Sequence, residues 1–134
     1  MAKIAMIEGI GKKYSEKLEG AGVGTVEALL ERGSTKKGRK EIALKANVSE
    51  KLVLNWVNRA DLFRIKGIGS QYADLLENAG VDSVPELAQR NPENLLLMLQ
   101  EVNSTKNLVR AMPYLKQVQK WVGRAKDLPR VVTH

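Results

Sequence analysis

The tightest constraint on this chain is that it repeats itself. "IEGIGKKYSEKLEGAGV" at residues 7–23 returns as "IKGIGSQYADLLENAGV" at residues 65–81. At an offset of 58, Ile7 falls on Ile65, Gly9 on Gly67, Ile10 on Ile68, Gly11 on Gly69 and Tyr14 on Tyr72. The register continues through Leu18 and Leu76, Glu19 and Glu77, Ala21 and Ala79, Gly22 and Gly80, Val23 and Val81, Val26 and Val84, Leu29 and Leu87, and Arg32 and Arg90. Self-similarity sustained this far means that one supersecondary unit is built twice. A second echo, "WVNRADL" at 56–62 and "WVGRAKDL" at 121–128, closes each copy. The boundary falls near Asp61 to Arg64, giving halves of 1–62 and 63–134; with no Pro- or Ser-rich linker, they are expected to pack as one compact unit.

Periodicity assigns each copy to helix. Tyr14, Leu18 and Ala21 recur at i, i+4 and i+7 and form one apolar stripe, and Gly22 supplies the left-handed residue that ends a helix. Tyr72, Leu76 and Ala79 before Gly80 do the same. A second short helix follows in each copy, capped by Thr25 or Ser83, with Val26, Leu29, Leu30 or Val84, Leu87, Ala88 as its buried face and Pro85 in the first turn, where proline is tolerated. Leu52, Val53, Trp56, Val57 and Ala60 make a further stripe, as do Leu115, Val118, Val122 and Ala125. Trp56 and Trp121, on those apolar faces, are expected to pack in the core rather than stack on bases. Strands have little support, so the chain is expected to be all-α.

Within that frame, "GIG" reads as a tight turn whose glycines allow positive φ and leave the backbone uncovered. Ile10 and Ile68 anchor it to the core. The start of the following helix then exposes backbone N–H groups with the positive end of the helix dipole behind them, an arrangement suited to an anion such as phosphate. Lys12 and Lys13 can reach the same anion. The second copy has Lys66 before its turn and only Ser70 and Gln71 after it, so weaker binding is expected there.

Charge supports an anionic partner. The chain carries 22 Lys+Arg against 15 Asp+Glu, a net +7, and residues 1–66 hold 14 basic against 8 acidic side chains. A one-sided basic field raises the local concentration of polyanions, although a solvated surface gives the same count. There is no cysteine, which excludes disulfides, thiolate metal sites and cysteine nucleophiles. The leading "AKIAMIEG" is too short and too soon interrupted for a secretion signal, and no apolar run reaches bilayer length, so a soluble cytoplasmic protein is expected.

The h-x-G-h-G turns, each followed by the A-G-V closure and a second apolar helix, resemble the helix-hairpin-helix motif. The wider chain, including "KGRKEIALKANVSEKLVLNWVNRADL" and "LAQRNPENLLLMLQEVN", is similar to a bacterial domain-of-unknown-function family (DUF4332-like) built on paired units of this kind. That resemblance implies a tandem helix-hairpin-helix (SAM-like), pseudo-symmetric all-α fold. It implies turns that hold a nucleic-acid backbone without reading bases, and it brings no established activity.

Two further features remain. Ala43, Asn47, Val48, Ser49, Val53 and Trp56 fall where a helix-turn-helix places its small residue, turn, cap and anchors, with Glu50, Lys51, Leu54, Asn55 and Asn58 expected outward; any helical hairpin gives a similar pattern. Lys36, Lys37, Arg39 and Lys40 read as a patch that contacts phosphates without sequence preference, or as a solvated loop. Catalysis has little to work with, since the only histidine is the terminal His134 and Glu16, Glu19 and Glu27 fall on solvent faces. The expected function is therefore nucleic-acid backbone binding, DNA ahead of RNA, through Gly9, Ile10, Gly11, Lys12, Lys13, the Lys36–Lys40 run and Lys66, Gly67, Ile68, Gly69, Ser70 and Gln71. The alternative is a protein-interaction scaffold of the same fold. No enzyme activity, cofactor, metal or membrane partner is expected, and oligomeric state is not legible.

Overall fold

Local sequence signals account for most of the helix boundaries in the computed structural model, which describes residues 3–133. Met1 and Ala2 of the leading segment, and His134, lie outside the described residues. Eight α-helices and no strand occur among the described residues: α1 (Gly11–Gly20), α2 (Val26–Arg32), α3 (Lys36–Ala46), α4 (Glu50–Leu62), α5 (Ser70–Asn78), α6 (Val84–Ala88), α7 (Pro92–Lys106) and α8 (Leu115–Asp127). The fold is all-α. Residues 3–61 with 131–133 form one compact unit and residues 62–130 a second.

In the first unit a single 3-10 turn, Ile4–Met6, precedes the glycine turn. Leu18 and Ala21 are buried on α1, and Tyr14 lays its ring 5.1 Å from that of Trp56 at 57°. The helix closes through Gly22 at φ +83, with the Gly22 N–H donating to the Glu19 carbonyl (3.0 Å) and the Val23 N–H to the Leu18 carbonyl (2.8 Å). These two bonds satisfy carbonyls that a helix end otherwise leaves open. Arg32, at the end of α2, donates to the Ala21 carbonyl (3.0 Å), placing a cation at the negative end of α1.

Side-chain caps start the next three helices. Thr25, Thr35 and Ser49 accept from the N–H groups of Ala28 (3.0 Å), Gly38 (3.0 Å) and Leu52 (3.1 Å). Gly38 lets α3 lie directly against the Arg32 carbonyl, which any Cβ at that position would meet. Asn47 ends α3 in the left-handed region at φ +55. On α4, Val53, Trp56, Val57 and Ala60 are buried, while Glu50 and Lys51 are exposed as expected. Asn58 departs from expectation: it is buried, and its Oδ1 accepts no hydrogen bond among the described residues. A run of polar residues around a tryptophan does not reveal from sequence which polar position turns inward.

The second unit encloses a core of Ile65, Leu75, Leu76, Leu87, Leu95, Leu99 and Val118, among others. Tyr72 lies 5.2 Å from Trp121 at 53°. α5 closes through Gly80 (φ +92), with Gly80 donating to Glu77 (3.0 Å) and Val81 to Leu76 (2.9 Å), and Arg90 donates to the Gly80 carbonyl (3.2 Å). Ser83 and Asn91 cap α6 and α7. After α7, the Asn103 side chain accepts from the N–H groups of Leu108 (2.7 Å) and Val109 (2.9 Å) and donates to the Val109 carbonyl (3.0 Å), fixing the loop that leads to α8.

Candidate functional site

Both glycine turns are tied down by their central isoleucine. The Ile10 N–H donates to the Ile7 carbonyl (3.2 Å) and the Ile68 N–H to the Ile65 carbonyl (3.1 Å), and both isoleucine side chains are buried. In the first turn Gly9 (φ +88) and Gly11 (φ +60) flank Ile10 in the right-handed region (φ −77, ψ −49). Alternation of this kind curls the backbone N–H groups toward one point, the geometry of an anion nest. The second turn differs. Gly67 has φ +98, but Gly69 is extended (φ −99, ψ −167), so the positive φ expected at Gly69 does not occur. The cause is register: α1 begins at Gly11 itself, whereas α5 begins at Ser70 and makes Gly69 its N-cap, a position that takes extended backbone.

The helices that follow the two turns lack the side-chain caps found on α2, α3, α4, α6 and α7. Their first-turn N–H groups have no partner within the helix, and the helix dipole adds partial positive charge. At the start of α1, Gly9, Gly11, Lys12 and Lys13 are all exposed. Nothing acidic lies in that first turn. The arrangement can hold a phosphate oxygen on backbone N–H groups and balance its charge with two ammonium groups.

The basic run on α3 divides. Lys36, Lys37 and Lys40 are exposed, and α3 packs on α1 within the same unit. Arg39 does not belong with them. It is 5% exposed, and its Nη1 donates to the carbonyls of Gly33 (2.9 Å) and Ser34 (3.2 Å) while Nη2 donates to that of Thr133 (2.7 Å). Burial pushes its guanidinium pKa down from the ordinary value, against the opposing effect of the Glu50 charge. With three internal carbonyls as its acceptors, Arg39 is held inside the unit and does not stand with the exposed lysines of the expected patch.

At the second turn, Lys66, Gly67, Gly69 and Gln71 are exposed and Ser70 is half-buried. Three cations that sequence proximity did not indicate stand beside it. Arg124 of α8 donates to the Lys66 carbonyl (2.8 Å), just as Arg59 of α4 donates to the Glu8 carbonyl (2.9 Å) at the first turn. Lys120 lines the same cleft as Lys66 and Arg124. Arg110 lines a hollow with Gly67, Gly69, Ser70 and Gln71, on a loop held by the Tyr72 hydroxyl donating to the Ala111 carbonyl (3.0 Å). The matching "WV-x-R-A" segments were the available signal for Arg59 and Arg124; nothing local pointed to Lys120 or Arg110.

The α3–α4 connection places Ala43, Val53 and Trp56 inside, Asn47 at the turn and Ser49 as cap, the positions assigned to them from spacing. Among the described residues no three His, Cys, Asp or Glu side chains gather where they can hold a metal ion, and Glu16, Glu19 and Glu27 are exposed. No described helix is long and apolar enough to cross a membrane.

The fold and site define an all-α protein in which two glycine turns lead into uncapped helices. Residues 8–128 match the family described as a domain of unknown function (DUF4332), and the chain belongs to that family. No curated protein and no solved structure matches it.

Proposed function

We propose that this protein binds the nucleic-acid backbone without reading sequence, duplex DNA ahead of RNA, through turns of the helix-hairpin-helix kind, and that it works in the cytoplasm without catalytic activity. The observation that carries the reading is the uncapped start of α1, where Gly9 and Gly11 at positive φ meet exposed Lys12 and Lys13. Backbone N–H groups and ammonium groups recognise phosphates, which carry no base identity, so affinity without sequence preference follows. Ile10 holds the turn, and Lys36, Lys37 and Lys40 extend the cationic surface of the same unit. Lys66, Gly67, Ile68, Gly69, Ser70 and Gln71 form the second contact.

Fluorescence anisotropy with labelled duplexes of unrelated sequence tests this. The reading requires binding at low salt with affinities that agree among duplexes; a strong preference for one sequence contradicts it.

A protein-interaction scaffold is the second reading, favoured by the exposure of Leu97 (64%) and Met98 (40%), side by side on α7, and of Leu44 (75%) on α3. Absence of nucleic-acid binding at low salt leaves that reading in place.

A further inference from the structure

Beside the second turn, whose Lys66 and Gly67 it shares, the second unit contains a cleft completed by α8, and its assignment rests on the phosphate reading of that turn. It has a volume of about 220 Å³ and is lined by Lys66, Gly67, Gln117, Lys120, Trp121 and Arg124. Its charged side chains, Lys66, Lys120 and Arg124, are all cationic. Trp121 is 2% exposed, and its Nε1 lies 3.2 Å from where a Cβ on Gly67 would stand, so the missing side chain at Gly67 is what leaves the indole N–H uncovered. That N–H donates to no group among the described residues. The residue is buried but its N–H opens on the cleft, where it can donate to an acceptor that enters there.

The other side chains have the same polarity. Gln117 Oε1 accepts from the Tyr114 N–H (2.7 Å), which leaves the amide nitrogen of Gln117 as its free donor. Arg124 is held in place by its bond to the Lys66 carbonyl (2.8 Å), with its remaining N–H groups available. Lys66 and Lys120 are exposed ammonium groups, and no lining residue is acidic. Three cations, an indole N–H and an amide NH₂ converge with no negative charge among them. The ligand they suit accepts hydrogen bonds on several sides and carries more than one negative charge.

We infer that this cleft is a phosphate-binding pocket, with Trp121, Arg124, Lys120, Lys66 and Gln117 as its donors. The phosphate can be part of a nucleic-acid backbone or of a small phosphate ester, and the chemistry of recognition is the same. The first copy has Asn55 where the second has Lys120, and Leu52 where it has Gln117, so the pocket belongs to the second unit alone.

The two indole N–H signals in a proton–nitrogen correlation spectrum test this, with Trp56→Phe identifying which is which. Titration with inorganic phosphate, against sodium chloride of equal ionic strength, is expected to move the Trp121 signal saturably and leave that of Trp56 in place. In Lys120→Glu the same movement is expected to need at least about tenfold more phosphate, since a charged hydrogen bond is replaced by repulsion. A shift of Trp121 by short duplex DNA, reversed by inorganic phosphate, assigns the pocket to backbone phosphates. A shift by glycerol phosphate without one by DNA assigns it to small esters. No saturable shift with phosphate, or an undiminished one in Lys120→Glu, overturns the inference. Lys12→Glu with Lys13→Glu is expected to leave the Trp121 response intact, which separates this pocket from the first turn.

Discussion

Tyr14 lies against Trp56 with ring centroids 5.1 Å apart, joining the helix that follows the first glycine turn to the one that closes the first unit. Tyr72 and Trp121 make the corresponding contact at 5.2 Å. Tilted aromatic pairs at this separation add to the stabilisation given by burial alone. Trp56→Ala removes one of the largest buried side chains of its unit and is expected to lower stability by about 3–5 kcal/mol in urea unfolding. A loss below about 1 kcal/mol, the size of an ordinary surface effect, would contradict this packing role.

The glycines of the two turns should separate on substitution. Gly11 has φ +60, so Gly11→Ala is expected to cost about 1 kcal/mol or more, although a Cβ there meets no neighbour. Gly69 is extended and equally open, so Gly69→Ala should lose only the N-cap preference for glycine over alanine, about 0.5 kcal/mol and less than Gly11→Ala. Denaturant midpoints of both variants measure the difference; equal losses would show that left-handed geometry is not what the first turn requires.

Arg39 and its lysine neighbours should behave as opposites. Arg39→Ala abandons three carbonyls that the guanidinium satisfies, including that of Thr133, and is expected to destabilise the fold by about 3 kcal/mol. Lys36→Ala and Lys40→Ala should leave the melting temperature nearly unchanged, because both side chains are exposed. A stable Arg39→Ala protein would return Arg39 to the surface patch.

Sequence reasoning reached what is periodic or local. The stripe of Leu18 and Ala21, the closures at Gly22 and Gly80, and the caps Thr25, Ser49 and Ser83 all depend on residues within a turn or two of one another. It missed what tertiary packing decides. In "KKGRK" nothing in position or charge sets Arg39 apart from the three lysines, and its partner Thr133 is 94 positions away. The cations around Gly67 escaped for the same reason, since Lys120 and Arg124 reach it from α8 and Arg110 from the loop before that helix. Gly69 shows the converse limit: an exact match of letters with Gly11 did not fix its φ, because the helix behind it starts one residue later.

The central claim is that the start of α1 binds backbone phosphate, and the salt dependence of duplex affinity tests it most directly. Release of counterions gives a log–log slope of about −0.9 for each phosphate neutralised. Wild-type protein should bind short duplexes steeply more weakly as salt rises, and Lys12→Glu with Lys13→Glu should bind more weakly with a slope shallower by roughly 1 to 2. Both lysines are exposed, so circular dichroism should report an intact helical fold in the variant. No binding by wild type at low salt, or the same affinity and slope in the two proteins, would contradict the account.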